Sequence, residues 1–298
     1  MQTVLSVSSR LPEPYEINEG LGIQWSGRFA LDAVFVKLQG KSYPVFLLSD
    51  FNSLDVIDYH IALKENYYSW KAFLLKAVKR NNIKTVIKFF VSDGKKGLHQ
   101  ALSELFPDTP VQVCISHKLR RIHQIIPHIR GDGYDKLFAR LAQLSINAPI
   151  KEMADSYLNI LVAFRYSTEY NSWPEDRQNK LNKIIGALRF QKSKLQTRYS
   201  YPELICDDIT TNHLEGINGF LKERLKLMRG IKNPDNFYLY IKLLIHYYRF
   251  HKFTSSRFKA RNGCSPISLN GMENSKGLNR INKGNQPYSW IKNLLPCP

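Results

Sequence analysis

A chain of 298 residues, 43% hydrophobic and 12% aromatic, is too apolar for wholesale disorder and long enough for one large domain with an insertion or for two small ones. Its 43 Lys and Arg against 25 Asp and Glu leave a formal charge of +18. Such a surplus suits a polyanion, most often nucleic acid, because each phosphate contact releases condensed counterions; a merely soluble basic protein is the alternative that charge alone leaves standing.

In chain order, a polar leader (LPEPYEINEG) precedes FALDAVFVKL, residues 29 to 38, which is apolar on both faces and reads as a central buried strand. After a Gln39-Gly40-Lys41 turn, YPVFLLS and DVIDYHIAL supply two more strands, so three antiparallel strands are expected. NYYSWKAFLLKAVKR sets Trp70, Phe73, Leu74, Ala77 and Val78 at helical spacing, and TVIKFFVSDG reads as a fourth strand ending in a turn. KKGLHQALSELF is again helical, with Leu98, Ala101, Leu102 and Leu105 on one stripe, and Pro107 and Pro110 close it before a short strand, VQVCI. The predicted order is βββαβαβ.

From Lys118 to about Tyr201 the patterns KLRRIHQII, DKLFARLAQL, KEMADSYLNILVAF and RQNKLNKIIGALRF are helical and follow one another without a strand, as in an all-helical insertion. A helix is predicted from about Asn212 to Met228 on the stripe Leu214, Ile217, Leu221, Leu225 and Met228, and another over roughly Asp235 to Tyr248. The Ser-, Asn-, Gly- and Lys/Arg-rich remainder after Phe253 is expected to be loosely ordered. Cys114, Cys206, Cys264 and Cys297 form no Cys-x-x-Cys pair, which argues against a zinc ribbon, a thiol redox site and a disulfide framework. The start MQTVLSVSSR lacks the features of a signal peptide, and no run of about eighteen apolar residues occurs; a cytosolic protein with no membrane partner is expected.

Three carboxylates stand out. Asp32 is the only charge in the strand core from Phe29 to Val36, where an ionised group is costly unless paired or bound to a cation; an edge position facing solvent is the other reading. Asp93 follows a strand in Ser92-Asp93-Gly94, at the kind of strand end where open sheets gather ligands, although Asp-Gly is also an ordinary turn. Glu215 either closes a capping box with Asn212 or looks out from the polar face it shares with Asn218 and Lys222. Together the three form an oxygen-only set suited to Mg²⁺ or Mn²⁺, and two such ions activate a nucleophile and stabilise the departing oxygen in phosphodiester chemistry. Asp50, Asp55 and Asp58 are the decoys.

The run VSDGKKGLHQALSELFPDTPVQVCISHKLRR resembles the signature of mutator-type (MULE-like) transposases and their bacterial insertion-sequence relatives, with SDG, GL, FP, Q-x-C-x-x-H and trailing arginines in order. LDAVFVKL is similar to that family's first-aspartate strand, and TTNHLEGINGFLKERLKLMRGI to its TTN-x-x-E-x-x-N helix, so the likeness spans about residues 28 to 235. It implies an α/β, RNase H-like core interrupted by a helical insertion, with a DDE triad at Asp32, Asp93 and Glu215 performing metal-dependent strand cleavage and strand transfer.

The expected division is a leader or remnant over 1–27, core over 28–117, insertion over 118–205, core with the catalytic helix over 206–250, and a basic tail over 251–298. Cys114 and His117 gain meaning as the family's Cys-x-x-His pair. They could share a zinc, but about four ligands are needed and no partners follow, so a buried cysteine beside a hydrogen-bonded histidine serves equally and no zinc is expected.

Double-stranded DNA, as element ends and target, is the expected partner. Lys118, Arg120, Arg121, Lys222, Arg224, Lys226 and Arg229 are the expected phosphate contacts, with homo-oligomerisation on DNA and, in a bacterium, a place on the nucleoid. Arg120-Arg121 departs from the Arg-Asn of many relatives. Little chain precedes Phe29 for the family's N-terminal recognition region, so a truncated chain or the downstream part of a split frame is expected, with a separate region reading the ends. A DNA-binding remnant without catalysis and a nuclease without strand joining are the competing readings.

Overall fold

The computed structural model describes residues 2–127, 133–202, 212–227, 233–256 and 258–270. Helices α1 (Gln2–Arg10) and α2 (Pro14–Leu21) come first, then strands β1 (Arg28–Leu38), β2 (Lys41–Asp50) and β3 (Val56–Ile61). Next are α3 (Tyr67–Arg80), β4 (Phe89–Ser92), α4 (Lys96–Leu105) and β5 (Val111–Val113). The βββαβαβ order is thus observed, although the fourth strand is shorter than its sequence suggests, because Thr85–Lys88 are not in the ladder. Helices α5 (Ile115–Ile125), α6 (Gly133–Asn147), α7 (Lys151–Phe164) and α8 (Glu175–Arg189) follow, with the short α9 (Lys192–Leu195) and α10 (Thr197–Ser200). The last helices among the described residues are α11 (Asn212–Leu227), α12 (Pro234–Phe250) and α13 (Pro266–Leu269).

Among the described residues the strands form one five-stranded sheet in the order β3-β2-β1-β4-β5, with β1 antiparallel to β2 and β2 to β3. This strand order, with helices α5–α10 and no strand among the described residues between β5 and α11, agrees with the α/β, RNase H-like core and helical insertion that the resemblance implies. The chain divides into two compact units: one holds residues 1–90, 95–109 and 212–298, the other 91–94 and 110–211.

In the first unit the sheet is covered on both faces, as a two-sided apolar pattern requires. Ala30, Val34, Val36 and Leu38 of β1, with Val45 and Leu47 of β2, pack against Leu214, Ile217, Leu221 and Leu225 of α11 and Phe237, Ile241, Leu244 and Ile245 of α12. On the opposite row Phe46 stacks on Trp70 of α3 with centroids 3.9 Å apart. Each buried aliphatic side chain of this kind contributes about 1.5–3 kcal/mol relative to exposure. Local signals fix the helix starts: Asn66 accepts from Ser69 N at 2.9 Å to begin α3, and Asn233 accepts from Asp235 N at 2.7 Å, with Pro234 behind it, to begin α12.

The expected leader is folded. Ser8 Oγ donates to Leu239 O, Tyr238 Oη to Glu13, and Asn18 Nδ2 to Ile57 O at 3.1 Å, which docks α1 and α2 on α12 and β3. The tail is also folded as far as it is described. Phe253 N donates to Cys264 O, Ser265 and Ser268 cap α13, and Ile267 packs with Ile17 and Phe250. Residues 271–298 lie outside the described residues.

The second unit has its own core, in which Phe138, Phe164, Trp173 and Tyr134 interlock and Leu158, Leu161, Ile184, Ile185 and Leu188 close around them. Buried Gln112 ties β5 to the short helices, donating to Leu195 O and accepting from Arg198 N. No described helix is long and apolar enough to cross a membrane.

Candidate active site

Side chains alternate along a strand, so Ala30, Asp32, Val34 and Val36 stand on one row of β1. That row faces α11, and Asp32 holds a position its neighbours give to apolar groups. It is 5% exposed, which excludes the solvent-facing edge reading. Its Oδ1 accepts from Ala33 N at 2.8 Å and its Oδ2 from Asn218 Nδ2 at 2.8 Å.

The second bond comes from α11. The apolar stripe of that helix, Leu214, Ile217, Leu221 and Leu225, is turned into the sheet, and the flank beside the stripe carries half-buried Glu215 and, one turn on, half-buried Asn218. Asn212 begins the same helix. Asp32, Asn218 and Glu215 thus lie on two elements in direct contact.

The decoys are each consumed by structure. Asp50 accepts from Ser26 N and Oγ and from Asn52 N, Ser53 N and Ser53 Oγ, and so fastens the β2–β3 turn to the segment before β1. Asp55 is fully buried and takes a two-pronged ion pair from Arg249, with both N–O distances 2.9 Å; burial holds its carboxyl above the usual range while Arg249 pulls it back. Asp58 is paired with Arg80 and accepts from Asn81, and burial again outweighs the partner in raising its carboxyl. Sequence reasoning missed the Asp55–Arg249 pair, whose members are 194 residues apart.

Asp93 belongs to the second unit. It is half-buried directly after Ser92, the last residue of β4, and is followed by Gly94 with a left-handed φ of +84°. A side chain at Gly94 would also come within 2.7 Å of Gln191 Oε1, so glycine shapes this strand exit. Cys114 is fully buried at the start of α5, and its N–H donates to Ser92 O at 2.7 Å, tying the end of β4 to that helix. His117 lies one turn along and is half-buried.

Lys118 corrects the expected list of phosphate contacts. It is 8% exposed, and its ammonium donates to Ala187 O and Phe190 O at the carboxyl end of α8, across the face of the Phe190 ring. It satisfies the orphan carbonyls of a helix terminus and is turned away from solvent. Burial pushes its pKa down to about 8.

The other basic residues fare differently. Arg120 and Arg121 are exposed on α5, and Lys222, Arg224 and Lys226 are exposed on α11, where Arg224 lies over the ring of Phe220. Arg229 lies outside the described residues, as do the side chain of Asn212 and the expected stripe residue Met228.

Among the described residues no three His, Cys, Asp or Glu side chains are grouped to hold a metal ion. The donor chemistry around Asp32 nevertheless suits a hard cation. Asp32 supplies two carboxylate oxygens, oriented by Ala33 N and Asn218 Nδ2, and the buried Asn218 Oδ1 has no hydrogen-bond partner.

The chain is similar to known proteins over most of this framework. It is 28% identical over 203 residues to the transposase for insertion sequence element IS1201 of Lactobacillus helveticus, covering 66% of this chain and 50% of that protein. It is 28% identical over 196 residues to the transposase for insertion sequence element IS905 of Lactococcus lactis subsp. lactis (strain IL1403), covering 65% and 45%. The chain therefore spans about half the length of these curated relatives. The HTLV-2 integrase catalytic core domain in complex with magnesium aligns over 42% of this chain and 87% of its own at 13% identity, with a TM-score of 0.24, a likeness too slight to carry an argument. The model of the family described as Transposase, Mutator family, matches residues 51–251, which include Asp93, Glu215 and Asn218 and begin after Asp32. That match takes in more than half of the chain, which therefore belongs to the Mutator family of transposases.

Proposed function

We propose that this chain carries the phosphoryl-transfer centre of a DNA transposase, with Asp32, Asp93 and Glu215 as the carboxylates that hold divalent metal, Mg²⁺ or Mn²⁺. The observation that carries the reading is the 2.8 Å bond from Asn218 to buried Asp32, one helical turn from Glu215. A carboxylate buried on an apolar row and held by Ala33 N and the Asn218 amide suits a bound cation, which offsets the cost of burying its charge. The decoys are taken up by structure: Asp55 and Asp58 have arginine partners and Asp50 has five donors.

When bound, the metal would activate a water or a 3′-hydroxyl and stabilise the departing phosphodiester oxygen. The residues of the chain would do the rest. Asn218 holds Asp32 in one orientation, and the apolar stripe of α11 keeps the helix seated. Exposed Lys222, Arg224 and Lys226 on α11, with Arg120 and Arg121 on α5, would contact DNA phosphates without reading bases. Double-stranded DNA, as element ends and target, is the proposed substrate, and a homo-oligomer the proposed working form.

The test is cleavage and strand transfer on end-bearing DNA with Mg²⁺, comparing the wild type with Asp32→Asn, Asp93→Asn and Glu215→Gln. Each substitution keeps shape and removes a charged ligand. A loss of about a thousandfold or more, equivalent to roughly 4 kcal/mol of transition-state stabilisation, is expected with DNA affinity retained. Cleavage at the wild-type rate by any of the three would remove that residue from the triad. Cleavage without joining would leave a nuclease.

A further inference from the structure

The proposed centre leaves one buried atom unexplained. Asn218 is half-buried, and its two amide atoms are distinguished by chemistry: the Asp32 carboxylate only accepts, so the Asn218 nitrogen, and not its oxygen, makes the 2.8 Å contact. That oxygen is out of contact with solvent and has no hydrogen-bond partner. Buried amide oxygens are rarely left in this state unless an ion or ordered water serves them.

Three facts limit what could serve it. The atom belongs to the same side chain that holds Asp32 Oδ2 at 2.8 Å, so whatever it binds lies within a few ångströms of a buried carboxylate. Glu215 stands one turn before it on the same flank of α11. The Asp32 and Glu215 carboxylates, like the Asn218 amide oxygen, are hard oxygen donors, a chemistry that suits a hard cation and not an anion.

We propose that Asn218 is both a positioning residue and a cation ligand: its amide nitrogen orients Asp32, and its amide oxygen coordinates the divalent ion held by Asp32 and Glu215. The inference rests on the metal-dependent reading of the site and adds a neutral oxygen donor to the carboxylates. A neutral ligand completes coordination without adding negative charge beside the DNA phosphates. It also couples the two elements, because an ion on Asn218 Oδ1 and Asp32 ties α11 to β1 through metal as well as through the hydrogen bond.

The test is Mn²⁺ binding to the full chain without DNA, by titration calorimetry and by the rise in Tm on adding Mn²⁺, for wild type, Asn218→Ala, Asn218→Asp and Asp32→Asn. Losing a group that supports a metal site typically costs 10–100-fold in affinity, so Asn218→Ala is expected to bind at least about tenfold more weakly. Asn218→Asp keeps the oxygen and adds a charge against Asp32. Without metal its Tm should fall, and Mn²⁺ should raise that Tm by more than it raises the wild type's. A purely structural asparagine would leave Mn²⁺ affinity unchanged in both variants, and that result overturns the proposal.

Asp32→Asn separates the two levels of inference. If it binds Mn²⁺ as tightly as wild type, no cation sits at Asp32 and the reading of the centre itself falls. If it loses binding while both Asn218 variants retain it, only the role of Asn218 falls. Should Asn218→Ala not fold, the ¹³C resonance of the wild-type Asn218 amide carbonyl decides. Displacement by saturating Mg²⁺ supports ligation, and an unmoved resonance refutes it.

Discussion

Replacing Arg249 by Met tests whether the aspartates beside the proposed centre are structural. Arg249 is fully buried on α12; its guanidinium grips both oxygens of Asp55 at 2.9 Å, donates to Asn18 Oδ1 and approaches Pro14 O at 3.3 Å. One side chain therefore joins α12, the β2–β3 turn and α2. Arg249→Met keeps much of the volume and leaves the Asp55 charge with Asn270 as its remaining side-chain donor. Removing one member of a buried ion pair costs about 3–5 kcal/mol, a large share of the roughly 5–15 kcal/mol that holds a domain together. Adding Asp55→Asn removes the stranded charge, so the double variant is expected to be more stable than the sum of the two single losses by roughly 2 kcal/mol.

The pH dependence has a definite sign. Burial already raises Asp55, and without Arg249 nothing comparable pulls it back, so its folded pKa climbs further above the unfolded value near 4. A raised folded pKa gives stability that is present at low pH and lost as pH rises. The deficit of Arg249→Met relative to wild type must therefore be largest at neutral pH and shrink toward acid. Urea unfolding followed by tryptophan fluorescence at several pH values measures this. A loss under about 1 kcal/mol, strict additivity in the double variant, or a deficit that grows toward acid would refute the reasoning.

Three further outcomes follow from the same physics. His246 donates from Nε2 to Pro12 O, and burial pushes its pKa down to about 4 near Arg249 and Lys242; a depressed folded pKa gives stability that is present above about 6.5 and lost as pH falls toward 4, roughly 3 kcal/mol in all, and the urea midpoint of His246→Gln should lack that slope. Lys118→Met should cost about 1–3 kcal/mol by stripping the α8 carbonyls of their donor while leaving DNA affinity and its salt dependence unchanged, whereas Lys222→Ala should reduce the slope of log affinity against log salt by about one; the opposite pattern in filter-binding titrations would return Lys118 to the DNA surface. Gly94→Ala, forced into a left-handed conformation against Gln191, should lose at least ~1 kcal/mol in thermal unfolding, and an unchanged Tm would show that the strand exit tolerates a side chain.

Asp58→Asn, a decoy that would serve as a control for Asp93→Asn, is not neutral in this fold. It would strip Arg80 of its carboxylate and destabilise the first unit. Exposed Asp176 on α8, which pairs with Lys180 at the surface, is the better control.

Much of the architecture was legible because it is local. The two-sided apolar run FALDAVFVKL and the period of 3.6 in the Leu214–Leu225 stripe each follow from local backbone geometry, and both elements formed where they were read. The same parity put Asp32 on a row of apolar residues, which is why one charge there was informative. What local pattern could not supply was partnership. Four carboxylates, Asp32, Asp50, Asp55 and Asp58, are buried in and around the first three strands. Only the fold shows that Asp55 and Asp58 answer to Arg249 and Arg80, that Asp50 answers to backbone and serine donors, and that Asp32 answers to Asn218.

The leader shows the same limit from the other side, since α1 and α2 are too short to be stable helices alone and are held by docking on α12 and β3. Lys118 sits in a sequence that looks like a basic surface, yet packing turned it onto the end of α8. Periodicity is set by bonds between near neighbours and is therefore written in the chain. The cost of a buried charge depends on which groups lie within about 3 Å of it, and that is decided only when segments nearly two hundred residues apart meet.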